Sequence, residues 1–204
     1  MGAGDRPFAT ERTNLKYFPA EFHAQAPLWA ILRLREKLAS ERIEAINVQT
    51  YHAAYREIGS EPEKWAPRTR ETADHSLPYL LAAALQDGFI SADTFNEQRI
   101  SDPGLRELMG RVKITENPEF TRQYPGATVS EIEVVTASGA RHIERTDYPK
   151  GHVRNPMSDA DVETKFLGLC RGTLQVDRCR DILTTVWNLE NVHDIGEVIG
   201  LVRI

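Results

Sequence analysis

Leu77, Leu80, Leu81, Ala84 and Leu85 fall at i, i+3, i+4, i+7 and i+8, the stripe of an amphipathic helix. This predicts a helix over 76–87. Asp74 or Ser76 can cap its start, and Pro78 is tolerated because it lies in the first turn. Gly88 supplies a left-handed stop. A second stripe, Leu28, Ile31, Leu32 and Leu38, predicts a helix over 26–39. The period then changes to two: Ile46, Val48 and Thr50 alternate with Asn47 and Gln49, which predicts a strand over 42–51. Residues 129–136 and 141–148 also alternate, and they flank Ala137-Ser138-Gly139-Ala140, so a hairpin is expected there.

Weaker signals fill the remainder. Short helices are expected over 91–97 and 102–110, capped by Ser91 and Asp102, and a short strand over 112–115. Gly59, Pro62 and Pro67 in a polar background make 56–71 a long loop, of the kind that often carries function. Residues 1–14 have loop composition and read as a connector. Near the end, Ser158 and Asp161 form a capping box ahead of Val162, Phe166, Leu169 and Cys170. Helices over 177–188 and 191–200 follow. Clustered strands between helical blocks imply an α+β fold: one antiparallel layer that helices 76–87 and 102–110 can cover.

Composition narrows the function classes. The chain has 204 residues, a net charge of -5, 41% hydrophobic and 27% charged residues. This balance carries no electrostatic footprint for nucleic acid, although a local basic pocket can still take an anion. No run of about 18 apolar residues is present, so no membrane helix is expected, and the N-terminus lacks a signal-peptide apolar region. Cys170 and Cys179 have no metal spacing and read as buried thiols.

Four groups could carry chemistry. Residues 16–23 place Lys16, Glu21 and His23 just before a helix, where they can converge on an anion or simply be solvated. Asp74-His75-Ser76 stands at a helix start, where free N–H groups favour a carboxylate, or where the side chains only cap. The stretch Tyr51 to Tyr55 lies at a strand end, where a phenol can act as an acid or merely pack. Lys150-Gly151-His152 with Arg154 is a small basic loop, or a solvated turn. No phosphate-binding glycine loop, zinc spacing or hydrolase elbow is present.

Taken in order, LKYFPAEFHAQ (15–25), ADHSLPYLLAAALQDG (73–88), DPGLRELMGRVKI (102–114) and YPKGHVRNPMSDADVETKF (148–166) resemble the MmgE/PrpD family. That family includes 2-methylcitrate dehydratase, cis-aconitate decarboxylase and iminodisuccinate epimerase. The KYFPAEFH form resembles the dehydratase more than the decarboxylase: where the decarboxylase has a histidine shortly after the lysine, this chain carries Glu21. The resemblance implies a large all-helical domain and a smaller α+β lid, of which this chain covers only the later portion. It would comprise a connector and helix of the helical domain (1–40), the lid (41–155) and helices returning to the helical domain (156–204).

The resemblance also implies roles. Lys16 and Tyr55 are expected as catalytic residues. His23, His75, Gly151 and His152 are expected to bind substrate, with no metal and no cofactor. The expected substrate is a di- or tricarboxylate, in propionate catabolism through the methylcitrate cycle. The expected setting is cytoplasmic, as a homodimer or paired with an N-terminal helical subunit, and the chain is expected to be incomplete for catalysis alone. The apolar stripes at 28–38 and 162–174 are candidate faces for such a partner. Alternatives are a non-catalytic binding or assembly paralogue, or another reaction of the family.

Overall fold

Alternation gives the sheet one apolar and one polar face, and the helices collect on the apolar one. The computed structural model describes residues 8–38 and 41–203. The chain runs through α1 (Gln25–Lys37), β1 (Ile43–Thr50), α2 (His52–Ile58), α3 (Arg70–Asp74) and α4 (Leu77–Asp87). It continues through α5 (Glu97–Ile100), α6 (Pro103–Met109), β2 (Val112–Glu116) and α7 (Pro118–Gln123). The hairpin of β3 (Ser130–Thr136) and β4 (Arg141–Thr146) follows. After Pro156, where a second compact unit begins, come α8 (Asp159–Cys170), α9 (Val176–Trp187) and α10 (Ile195–Val202).

In the first unit the strand order is β2-β1-β3-β4. Register lines up the core residues: Ile46 faces Val112 and Val134, and Val48 faces Ile114 and Ile132. The intervening Asn47, Gln49, Glu131 and Glu133 form the polar face, as expected of a sheet covered on one side. The fold class is α+β, with one difference from the expected antiparallel layer: β1 and β2 run parallel. A parallel pair needs a long crossover, and the segment from α2 to α6 provides it.

Helix α4 is the centre of the covering layer. Leu77, Leu80 and Leu81 are fully buried, as are Ala82, Ala83 and Ala84, so the helix is enclosed on nearly every side. Burying each leucine contributes roughly 1.5–3 kcal/mol. Ser76 Oγ accepts from Tyr79 N at 3.2 Å, which makes Ser76 the cap, and Gly88 closes the helix at a φ of 78°. Asp74 instead ends the short helix α3.

Helix α1 packs on β3, β4 and α4, burying Leu28, Ile31 and Leu34. The 28–38 stripe is therefore covered by the chain's own sheet rather than left for a partner. Where α1 turns polar, β4 answers it: Arg33 Nε donates to Glu144 Oε2 at 2.9 Å and Lys37 Nζ to Glu144 Oε1 at 2.5 Å.

Three local expectations change. The expected loop over 56–71 is partly ordered as the end of α2, a 3-10 turn at Pro62–Trp65 and the start of α3. Helix α7 was not foreseen; Asn117 Oδ1 caps it, accepting from Glu119 N at 2.9 Å, and Pro118 opens it. Of the expected connector over 1–14, residues 1–7 lie outside the described residues, and Ala9–Arg12 form a 3-10 turn.

The second unit is thinly packed. The Ser158 capping box forms, with Asp161 N donating to Ser158 Oγ at 3.2 Å. Arg178 Nε ties α9 to the end of α10 through Leu201 O at 2.6 Å, and Trp187 Nε1 reaches Glu163 Oε1 at 2.9 Å. Within α8, α9 and α10 only Cys179 and Ile182 are buried, while Leu169, Val176, Trp187, Ile195 and Ile199 are exposed. Both cysteines are free thiols, and burial pushes the Cys170 thiol above its ordinary value, with Cys179 adding to the shift. No helix among the described residues is long and apolar enough to cross a membrane.

Candidate functional site

A strap over residues 14–24, ending in a 3-10 turn at Phe22–Ala24, connects the candidate residues. Gln25, buried at the start of α1, holds it. Its Oε1 accepts from Tyr17 N and Phe18 N, both at 3.0 Å. Its Nε2 donates to Phe18 O at 3.2 Å, Glu21 O at 3.3 Å and Ala20 O at 3.4 Å. One side chain thus gives the Tyr17 and Phe18 amides the partner that a neighbouring strand or helix turn would otherwise supply.

At its beginning the strap docks on the loop after β4. Leu15 N donates to Gly151 O at 2.8 Å, and Val153 N to Asn14 Oδ1 at 3.0 Å. Gly151 has a φ of 92°, a conformation that side chains disfavour. Lys16 is exposed one residue beyond this docking point. His152 is buried, and Arg154 N donates to its Nδ1 at 3.1 Å. Burial, with the Arg154 charge second, pushes the His152 imidazole below its ordinary value, so it stays neutral at pH 7. Lys150 lies over the Trp29 ring at 5.6 Å, and Trp29 packs against Tyr17 and Phe18 of the strap.

Further along, Glu21 N donates to Asp74 O at 3.2 Å, which brings the strap to the turn between α3 and α4. His75 is exposed on that turn, its Nδ1 bonded to Asp74 Oδ1 and 3.2 Å from Glu71 O. At the end of the strap His23 N donates to Glu21 Oε2 at 2.5 Å, and His23 Nδ1 meets the Tyr51 hydroxyl. Tyr124 stacks on Tyr51 with centroids 4.7 Å apart, and its ring lies 5.9 Å from that of His23.

Tyr51 is fully buried, and desolvation, with Tyr124 and Glu21 adding to it, raises its phenol well above the ordinary tyrosine value. The phenol therefore keeps its proton, which it can donate to Nδ1; in the tautomer where Nδ1 accepts it, His23 presents its Nε2–H away from Tyr51.

The strap thus gathers Lys16, His23, Gly151 and His152 and touches the turn that bears His75. Tyr55 is half-buried and packs against the main core. The residues that hold His23 are Tyr51 and Tyr124, and the residue that holds the strap is Gln25. Tyr51 lies in the stretch flagged from sequence. Tyr124 comes from the end of the unforeseen α7, and a glutamine in the first turn of a helix gives no signal of what it will bind. Among the described residues no cluster of three or more His, Cys, Asp or Glu is placed to hold a metal.

The family model described as the MmgE/PrpD C-terminal domain matches residues 18–191. The chain belongs to the MmgE/PrpD family. It is 30% identical over 137 residues to cis-aconitate decarboxylase of Mus musculus, covering 67% of this chain and 28% of the relative. It is 31% identical over 164 residues to 2-methylcitrate dehydratase of Cupriavidus necator, covering 73% of this chain and 33% of the relative. It is 30% identical over 196 residues to the mitochondrial 2-methylcitrate dehydratase of Yarrowia lipolytica, covering 90% of this chain and 37% of the relative. The chain thus spans about a third of the length of these MmgE/PrpD relatives.

Proposed function

We propose that this chain is the C-terminal part of a 2-methylcitrate dehydratase-like lyase acting on citrate-like carboxylates, and that it is incomplete for catalysis alone. The observation that carries the reading is the strap, which puts the Lys16 ammonium, the Glu21 carboxylate and the His23 imidazole on one short segment and fixes His23 against a buried phenol. Dehydration needs a base to take a proton alpha to a carboxylate, an acid to help hydroxide leave, and cations to hold the remaining carboxylates. In this reading Lys16 clamps a carboxylate, and His23 donates to the substrate through Nε2. Tyr55 is the candidate acid, because it keeps partial exposure while Tyr51 is enclosed. His75, Gly151 and His152 complete the binding wall.

Incompleteness is supported by two facts. The chain spans 28–37% of these relatives. Four surface recesses of about 370–460 Å³ among the described residues have none of Lys16, His23, Tyr55 and His75 in their lining. The exposed apolar residues of the second unit fit a helical partner, either an N-terminal region or a separate subunit.

The test joins the chain to the N-terminal two thirds of the Cupriavidus necator dehydratase and follows absorbance of the conjugated product from 2-methylcitrate. Turnover that falls at least about 100-fold on Lys16→Gln or His23→Gln is expected. Turnover indifferent to both substitutions contradicts the assignment. Turnover of cis-aconitate alone, with loss of carbon dioxide, moves the reading to decarboxylation.

A further inference from the structure

At the edge strand β4, a shallow recess of about 370 Å³ is lined by Arg33, Arg145, Asp147, Tyr148, Arg154 and Asn155, among others. Each guanidinium is held in place while some of its donors take no part in the holding. Arg33 uses Nε and Nη2 to reach Glu144 Oε2 at 2.9 Å, Arg145 O at 3.0 Å and Thr146 Oγ1 at 2.6 Å; its Nη1 is outside these bonds. Arg145 lies 4.9 Å over the Phe120 ring and donates through Nε to Asp147 Oδ1 at 2.8 Å, which leaves both terminal nitrogens outside that bond. Arg154 lies 5.1 Å over the Tyr148 ring and donates through Nη1 to the Tyr148 hydroxyl at 2.6 Å.

Three guanidinium groups against one carboxylate, Asp147, leave the lining positive in a chain whose net charge is -5. Of the carboxylates just outside the lining, Glu144 is shared between Arg33 and Lys37, and Glu131 stands opposite Arg145 across the β3–β4 pair. Guanidinium forks fixed by stacking and hydrogen bonds lose little freedom on meeting an oxyanion, and they match its geometry.

We propose that this recess binds a small oxyanion of charge two or more, a phosphate ester or a polycarboxylate. Such a ligand would bridge α1, β4 and the loop after β4, the same loop whose Gly151 carbonyl holds the strap. The proposal does not rest on the lyase reading, since none of the residues assigned there lines the recess.

Calorimetric titration of the whole chain at low ionic strength tests it, with inorganic pyrophosphate, citrate and acetate as probes. Pyrophosphate or citrate is expected to bind at least about tenfold more tightly than acetate, and whichever binds better identifies the oxyanion class. The exposed pair Arg145→Gln with Arg154→Gln should weaken that binding at least about tenfold. Asp147→Asn, which removes the recess's own carboxylate, should strengthen it severalfold. Lys113→Gln, the loss of one positive charge at an exposed position of β2 at the other edge of the sheet, should leave it unchanged. No binding by the unaltered chain, a response to acetate equal to that to pyrophosphate and citrate, equal weakening by Lys113→Gln and the arginine pair, or no gain from Asp147→Asn overturns the proposal.

Discussion

The two units of this chain use apolar residues in opposite ways. In the first, α4 is enclosed almost all round, and α1 and the sheet bury their apolar faces against it and against each other. In the second, α8 and α10 have no buried residue and α9 has two, while large aliphatic and aromatic side chains face outward. Composition differs little; the number of layers available to cover an apolar stripe differs greatly. A three-helix piece of this length has little apolar surface to bury on itself, so little of its lost chain entropy is offset from within.

Substitution is the sharpest way to break that comparison. Leu80→Ala in the enclosed helix is expected to cost about 2–5 kcal/mol in urea unfolding. Ile199→Ala in α10 is expected to change stability by less than about 0.5 kcal/mol. Equal costs would mean that the second unit carries a core of its own.

Gln25→Leu comes next. It keeps the apolar contacts but leaves the Tyr17 and Phe18 amides without their acceptor, at an expected cost of about 1–3 kcal/mol. Amide hydrogen exchange at Tyr17 and Phe18 should accelerate more than at β1, and uniform acceleration would contradict a local role. Ser76→Ala removes the cap of α4 and should cost about 1 kcal/mol by thermal unfolding, with Ser76→Gly costing less.

The smallest effect is a pH slope. The folded-state value of His152 is lowered mainly by burial, so the unfolded chain binds more protons than the folded chain between that value and about 6.5. Stability from this group is full above about pH 6.5 and is lost as pH falls through the folded value. His152→Gln should flatten the thermal midpoint between pH 7.5 and pH 5.5. Glu116, Glu133 and Glu144 also have lowered values, but their contributions are lost only at lower pH, in the carboxylate range.

Much of the fold was legible because periodicity reports which face is buried. Leu77 to Leu85 marked α4, Gly88 marked its end, and Ile46 and Val48 marked β1. The parallel pairing of β2 was not legible, because alternation gives no strand direction. Helix α2 was read as a strand end and loop, since its seven residues are too few to show a helical period. For the site, sequence found the strap's charged residues but not what holds them. Gln25 satisfies backbone groups that become strap only in the folded chain, and Tyr124 meets Tyr51 only through tertiary packing.

The measurement that bears most directly on the central claim is absorbance of the conjugated dehydration product when the purified chain alone is incubated with 2-methylcitrate. The account predicts no turnover from the chain alone, and turnover once an N-terminal helical region of a 2-methylcitrate dehydratase is joined to it. Full turnover by the isolated chain would contradict it.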